Sequence, residues 1–489
     1  MKRTGSLIIT LATLAALYLA PLAQAAPSCA ALAKFSAPGH RVAVREAREI
    51  AATAAGVTPA LPAHCRVDGV IDERTGRDGK PYGIGFAVTL PANWNGRFLF
   101  QGGGGLNGSV QPPLGGAYAG EKSALARGFA VASTDSGHRG EGFDASFLRD
   151  QLAALNFLYQ AVAEVTVVAK AIVAQHYGKP QDHSYFVGCS TGGREAMMMS
   201  QRFPNYYDGI VAVAPAARTS FSNLGLRYAA TQLKQAPPMG EAERKQVIDG
   251  VLQACDALDG RKDGLIFAPQ KCEFDPGSLS LPPATISAIR AVMQGPRTSK
   301  GRQVYPGYFW DTGIATTQGL PGILAGPFIP EGRPVGATMD VDAAADEAMD
   351  ARAMAGDSSA WTNLSTFRGH GGKLIFAHGV SDPWFSAKES VRYYGELARD
   401  NPESPLTDWS RLFLVPGMGH CGGGARTLDQ FDLLSVLVDW VETARAPDRV
   451  VATGKSAPGE SRPLCQYPQY AQYNGSGDAR EAANYTCRE

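Results

Sequence analysis

Gly188-Cys189-Ser190-Thr191-Gly192 is the segment that most narrows what this chain can become. Ser184-Tyr185-Phe186-Val187 before it reads as a strand, and Arg194 to Arg202 after it reads as a helix. A G-x-S-x-G segment between a strand and a helix forms a sharp, strained turn that lifts the serine hydroxyl clear of a sheet. Small residues two before and two after the serine let the turn close without Cβ collisions. The helix N-terminus behind it favours negative charge developing nearby. Elsewhere the same five residues would be an ordinary glycine turn; this context makes Ser190 a candidate nucleophile.

From about 83 to 220 strand and helix patterns alternate. Phe98-Leu99-Phe100, Gly128-Phe129-Ala130-Val131-Ala132 and Ile210-Val211-Ala212-Val213-Ala214 read as strands, and Asp150 to Tyr177 as a long helix. Such alternation predicts an α/β fold, a mostly parallel sheet covered on both faces. From about 222 to 360 the chain turns rich in Gly, Pro and Ala, with weak periodicity and breaks such as Pro282-Pro283 and Pro321-Gly322. This reads as an insertion rather than sheet. Strands return at Lys373-Leu374-Ile375-Phe376-Ala377 and Arg411-Leu412-Phe413-Leu414-Val415, and Phe431 to Ala444 has helical spacing. The tail after Pro447 reads as polar loop. The expected organisation is a leader over 1–25, a first part of the main domain over 26–221, an inserted lid over 222–360 and a second part over 361–489.

A serine nucleophile needs a base, and in this kind of fold the order along the chain is serine, acid, histidine. The chain has 8 histidines. His420 lies in Pro416-Gly417-Met418-Gly419-His420-Cys421-Gly422, directly after a strand, where it can swing over the serine and act as base and then acid. His370 and His378 compete; His378 near a strand end suits a structural hydrogen bond. Asp382, just past the strand ending at Ala377, is the acid expected to hold the histidine's other nitrogen, ahead of Asp408 and Asp429. Two backbone N–H groups should hold the oxyanion, one from Thr191 and one from the loop Gly102 to Gly105.

The N-terminus reads as an export signal. Lys2 and Arg3 precede an apolar run from Leu7 through Leu19, short for a spanning helix, and Ala23-Gln24-Ala25 places cleavage near Ala25. The expected location is secreted or periplasmic. All 8 cysteines lie beyond that point, and an even count in an exported chain reads as disulfides. Pairing cannot be chosen by count alone. The economical set is Cys255 with Cys272, Cys465 with Cys487 and Cys29 with Cys65, leaving Cys189 with Cys421. The last two flank Ser190 and His420, so a disulfide there would staple the two loops; the alternative is a pair of free buried thiols. Hydrophobic residues are 44% of the chain, and 46 basic residues balance 46 acidic ones. That balance gives no draw towards nucleic acid or an anionic membrane.

These motifs resemble the tannase and feruloyl esterase family. The resemblance rests on Gly188-Cys189-Ser190, His420-Cys421, Arg97 to Gly105, Gly192-Gly193-Arg194-Glu195, Ser200-Gln201-Arg202-Phe203-Pro204, Tyr207-Asp208-Gly209-Ile210-Val211 and the tail from Pro463-Leu464-Cys465 through Gly475-Ser476-Gly477-Asp478. It implies an α/β-hydrolase fold with an inserted lid, Ser190, Asp382 and His420 as triad, Gly105 and Thr191 as oxyanion donors, and a disulfide joining the catalytic loops. It also implies a structural calcium ion in the lid. Asp256, Asp259 and Asp263 would give carboxylates and Arg261 and Leu265 carbonyls, the hard oxygen donors calcium takes. The implied substrates are small aromatic esters of the feruloyl, hydroxycinnamoyl or galloyl type. One branch of the family instead hydrolyses mono-hydroxyethyl terephthalate, using a lid arginine and lid aromatics. Arg333 and Tyr305, Tyr308, Phe309, Trp310 and Phe328 are the candidates here. A secreted serine peptidase and a non-catalytic binding protein are the readings from other classes. No organic cofactor is expected.

Overall fold

The computed structural model describes residues 28–53, 56, 60–329, 332, 334–351 and 356–489. The expected export signal and Arg333 lie outside the described residues. A nine-stranded sheet organises the chain. Its strands are β1 (Val42–Ile50), β2 (His64–Thr75), β3 (Pro81–Pro91), β4 (Arg97–Gln101), β5 (Ala130–Thr134), β6 (His183–Cys189), β7 (Gly209–Val213), β8 (Lys373–Gly379) and β9 (Ser410–Val415). Their order is β1-β2-β3-β5-β4-β6-β7-β8-β9. The first three pair antiparallel, β3 meets β5 antiparallel, and β5 through β9 run parallel. This is the α/β-hydrolase arrangement. The parallel part matches the expected strands; the antiparallel β1–β3 edge is an addition, its β2–β3 hairpin turning at Gly76-Arg77-Asp78-Gly79.

The parallel strands are apolar because both faces are buried. Phe98, Phe100, Phe186, Leu374 and Phe376 point into one core, with Val165, Val168 and Ile172 of α1 (Gln151–Tyr177). Leu99, Tyr185, Val187 and Ile375 point into the other. Helix α1 is long and apolar enough to cross a membrane by length and composition alone, but it packs on the sheet as a core helix. Helix α2 (Thr191–Arg202) follows the Ser190 turn.

Between β7 and β8 the chain leaves the sheet and builds α3 (Thr219–Lys234), α4 (Glu241–Cys255), α5 (Pro283–Gln294) and α6 (Val341–Ala351). Leu226, Val247, Val251, Ile289, Val292 and Ile323 give this insertion a core of its own. Its long connections, packed without helix or strand over 295–329, explain the weak periodicity. Helix α7 (Ala387–Asp400) follows β8, and α8 (Leu433–Thr443) follows β9 and closes the second core.

The tail differs from expectation. It forms two antiparallel hairpins, Arg449–Gly454 with Ala457–Cys465 and Tyr470–Tyr473 with Tyr485–Arg488. These strands are short and their apolar positions few, so the polar majority reads as loop; Val450 and Ala452 alternate inwards all the same. The disulfides are Cys29–Cys65, Cys189–Cys421, Cys255–Cys272 and Cys465–Cys487, the economical set.

Leu437 of α8 is fully buried over Gly209 of β7. Leu437→Ala is therefore expected to cost about 2–5 kcal/mol, read as a lower urea midpoint. An unchanged midpoint would mean that α8 does not close this face.

Candidate active site

Ser190 stands between the end of β6 and the start of α2 with φ 61° and ψ −121°. That region is unfavourable for a residue with a Cβ, so the fold must hold it there. The Ser190 N–H donates to the carbonyl of Val213 at 3.1 Å, and the Ser190 carbonyl accepts from Ala216 at 3.0 Å. A Cβ on Gly188 would come within 2.4 Å of the Gly192 carbonyl oxygen, and one on Gly192 within 2.7 Å of the Gly103 carbonyl oxygen. Glycine at both positions is thus a packing requirement of the turn.

Asp382 and His420 meet on the loops after β8 and β9. The His420 Nδ1–H donates to Asp382 Oδ2 at 2.7 Å. Asp382 is fully buried, and its Oδ1 accepts from the N–H groups of Trp384 at 2.8 Å and Phe385 at 3.0 Å. Burial alone would raise the Asp382 carboxyl, but the charge of His420 and hydrogen bonds from His378 and His420 outweigh it and hold the group well below its ordinary range. It stays ionised, as an orienting acid must. With Nδ1 committed, His420 Nε2 is free to take a proton, and that atom is buried without a hydrogen-bond partner among the described residues. The His420 loop is fixed from outside: the Tyr118 hydroxyl donates to the Cys421 carbonyl at 2.9 Å, and Asp429 accepts from the Gly423 N–H at 2.7 Å.

Ser190 and His420 line one cavity of about 960 Å³, and Gly102 to Gly105 and Thr191 line it with them. The Cys189–Cys421 disulfide, with Cα atoms 5.9 Å apart, joins the residues directly beside the serine and the histidine. In the glycine loop the Gly102 N–H is spent on Val187, and the Gly103 N–H donates to Glu195 Oε2 at 2.9 Å. The N–H groups of Gly105 and Thr191 donate to no acceptor among the described residues, and the Thr191 hydroxyl donates to the Gly105 carbonyl. Two unspent donors beside a serine suit a developing oxyanion. Glu195 is fully buried and also accepts from Asn107 Nδ2 at 3.0 Å, bracing the loop.

The competing histidines have other work. His378 Nδ1 meets the Ser390 hydroxyl at 2.7 Å, and Nε2 donates to the Phe385 carbonyl at 2.8 Å and lies 3.3 Å from Asp382. His370 lies 3.7 Å from Asp208, and Asp408 belongs to a short turn before β9. The expected aromatic contacts need correction. Tyr305, Tyr308, Phe309 and Trp310 do not line the cavity; they pack into the core of the insertion and against the main domain. The aromatic walls are Phe143, Phe157, Trp384 and Phe385. Trp384 lies 4.8 Å from the His420 ring, and Phe328, exposed, touches Phe143 and Trp384 at the rim. Sequence reasoning passed over these walls. The one signal for two of them was Pro383-Trp384-Phe385 directly after Asp382.

The acidic turn of the insertion is ordered by its own backbone. Asp256 accepts from the Gly264 N–H at 3.1 Å, and Asp259 from the N–H groups of Arg261 and Phe267 at 3.0 Å each. Asp263 pairs with the buried Arg462 of the tail hairpin, whose guanidinium also lies 3.7 Å from Asp259. Among the described residues, no three His, Cys, Asp or Glu side chains converge as a metal-holding set. The turn nonetheless carries three carboxylates, two of them at one buried guanidinium, and carboxylate and carbonyl oxygens are the donor chemistry a hard divalent cation takes.

The family described as "Tannase and feruloyl esterase" matches the chain over residues 65–323 and 336–488. The chain is 37% identical to a mono(2-hydroxyethyl) terephthalate hydrolase of Piscinibacter sakaiensis, over 89% of this chain and 87% of that protein. It is 30% identical to a probable feruloyl esterase B-2 of Aspergillus terreus, over 81% of this chain and 82% of that protein. Among solved structures, feruloyl esterase B from Aspergillus oryzae superposes with a TM-score of 0.78 at 26% identity, covering 94% of this chain and 99% of that one.

The Cys189–Cys421 bridge spans 232 residues of sequence. Replacing both cysteines by alanine is expected to cost about 3–5 kcal/mol and to lower hydrolysis of a p-nitrophenyl ester. Wild-type turnover with an unchanged denaturation midpoint would show that the bridge fixes neither loop.

Proposed function

Because the chain belongs to the tannase and feruloyl esterase family and is a carboxylic ester hydrolase, we propose that it cleaves esters of small aromatic acids through Ser190, His420 and Asp382. One observation carries the reading. A buried Asp382–His420 pair leaves Nε2 unspent in the wall of a cavity that also holds Ser190 and two unspent backbone donors. In the mechanism, Ser190 Oγ attacks the ester carbonyl as His420 Nε2 removes its proton. Asp382 holds the imidazole in the tautomer with the proton on Nδ1 and stabilises the imidazolium. The N–H groups of Gly105 and Thr191 receive the oxyanion. His420 then protonates the leaving alcohol, and water releases the acid by the same route.

The aromatic walls support the choice of acid. Phe143, Phe157, Trp384 and Phe385 give flat apolar surface against which a phenyl ring can lie, within a volume that suits a small ester. Feruloyl, hydroxycinnamoyl or galloyl esters are the leading class. The terephthalate monoester is the second reading, favoured by the 37% identity to a hydrolase of that ester. Export with cleavage near Ala25 is part of the proposal, and the disulfides support an oxidising compartment.

Purified protein should hydrolyse methyl ferulate or methyl gallate faster than mono(2-hydroxyethyl) terephthalate, and Ser190→Ala should abolish turnover of all three while remaining folded by circular dichroism. Faster terephthalate turnover would move the assignment to the second reading, and turnover by Ser190→Ala would remove the mechanism.

We also propose a structural calcium ion at Asp256, Asp259 and Asp263, with the carbonyls of Arg261 and Leu265. When bound it would neutralise carboxylates that Arg462 and Arg261 leave in excess, tying the insertion to the tail hairpin. Dialysed protein should retain about one calcium per chain by atomic emission, and a chelator should lower its Tm. No calcium together with an unmoved Tm would leave Arg462 and Arg261 as the counter-charges and remove the proposal.

A further inference from the structure

Between Tyr305 and Gly313 the insertion hydrogen-bonds to the loops that carry Asp382 and His420. The Tyr308 hydroxyl donates to the Pro383 carbonyl at 3.3 Å, the Ser386 N–H donates to the Tyr305 hydroxyl at 3.0 Å, and the Ser386 hydroxyl donates to the Gly307 carbonyl. These contacts reach the loop after β8 alone. Asp311 reaches both loops. It is fully buried, and its Oδ2 accepts from the Ser381 hydroxyl at 2.6 Å and from the Gly417 N–H at 2.7 Å. Ser381 is the residue before Asp382, and Gly417 opens the loop that carries His420. The Ser381 hydroxyl oxygen accepts in turn from the Gly313 N–H at 3.0 Å, and the Ser381 N–H donates to the Met418 carbonyl at 3.0 Å.

We infer that Asp311 is a positioning residue of the reaction: from the insertion it holds the Asp382 loop and the His420 loop in register, so the acid–base pair is assembled only while the insertion is docked. This rests on the reading of Asp382 and His420 given above. Asp311 does not line the cavity and touches no reacting atom, so it acts through the two loops. Its other oxygen, Oδ1, is buried with no hydrogen-bond donor among the described residues, and burial pushes the carboxyl upwards. An uncharged amide is therefore a close mimic. Asparagine can still accept both hydrogen bonds on one oxygen; alanine accepts neither.

The test uses the full chain and p-nitrophenyl butyrate, a small activated ester that does not depend on the aromatic-acid assignment. Active sites are titrated to completion with a fluorophosphonate. Asp311→Ala should lower kcat per titrated site about 100-fold with KM within about twofold, and Asp311→Asn should recover kcat to within about fivefold of wild type. If Asp311→Ala loses titratable sites but those remaining turn over at the wild-type rate, Asp311 is only structural and the inference falls. Asp311→Asn as slow as Asp311→Ala would also overturn it. Should Asp311→Ala fail to fold, Ser381→Ala removes one of the two bonds and should lower kcat about tenfold at unchanged KM; an unchanged kcat would sink the proposal. Turnover by Ser190→Ala in the same assay would remove the triad mechanism itself, a failure distinct from the others.

Discussion

The Ser190 backbone, at φ 61° and ψ −121°, is a conformation that a lone loop would not keep. Everything near the site restrains it. Strand β6 enters the turn from the middle of the parallel sheet, with β4 and β7 on either side. Val213, at the end of the neighbouring strand, takes the Ser190 N–H, and Ala216 returns a bond to its carbonyl. Gly188, Gly192 and the Gly102–Gly103 backbone press together so closely that a single Cβ would collide with main chain. The disulfide from Cys189 to Cys421 then extends the same rigid unit to the histidine loop.

Buried charge is the second constraint, and Asp382, Glu195 and Arg194 are each met by donors or acceptors. Asp382 is served by His420, His378 and two backbone N–H groups. Glu195 accepts from Gly103 and Asn107. Arg194, its neighbour on α2, donates to the carbonyls of Phe157 and Leu158 at 2.9 and 2.8 Å. Those carbonyls belong to a π turn, Asn156–Gln160, within α1, where the wider helical spacing suits carbonyls that reach an outside donor. Adjacent residues of opposite charge therefore look outwards to different loops, one to the oxyanion side and one to the aromatic wall.

The insertion contributes more than a cover. It has an apolar core of its own, and the stretch around Tyr305 to Gly313 fastens it to the loops after β8 and β9. Tyrosines that read from sequence as ring contacts are apolar packing with a hydroxyl handle, which is how tyrosine is commonly used when buried. The aromatic cavity wall is formed instead by Phe143, Phe157, Trp384 and Phe385, drawn from two loops and a helix turn.

The sequence by itself determined the local chemistry. The strand before Ser190, the glycines around it, the helix after it and the order of Ser190, Asp382 and His420 are matters of neighbouring residues and turn sterics, and so they were legible. Three cysteine pairs are local and economical by spacing, while the 232-residue Cys189–Cys421 bridge is fixed by the meeting of the Ser190 and His420 loops in the fold. What only the tertiary structure decided were contacts between segments with no common periodicity: the cavity walls, Glu195 under the glycine loop, Asp311 across two loops and Arg462 against the acidic turn. The tail hairpins belong with these, because short strands with few inward residues are stabilised by their partners rather than by their own pattern; the β1–β3 edge is different, its strands being 9, 12 and 11 residues long with Asp78-Gly79 at the β2–β3 turn. A buried polar side chain finds its partner through the packing of the whole chain, and no spacing rule along the sequence carries that information.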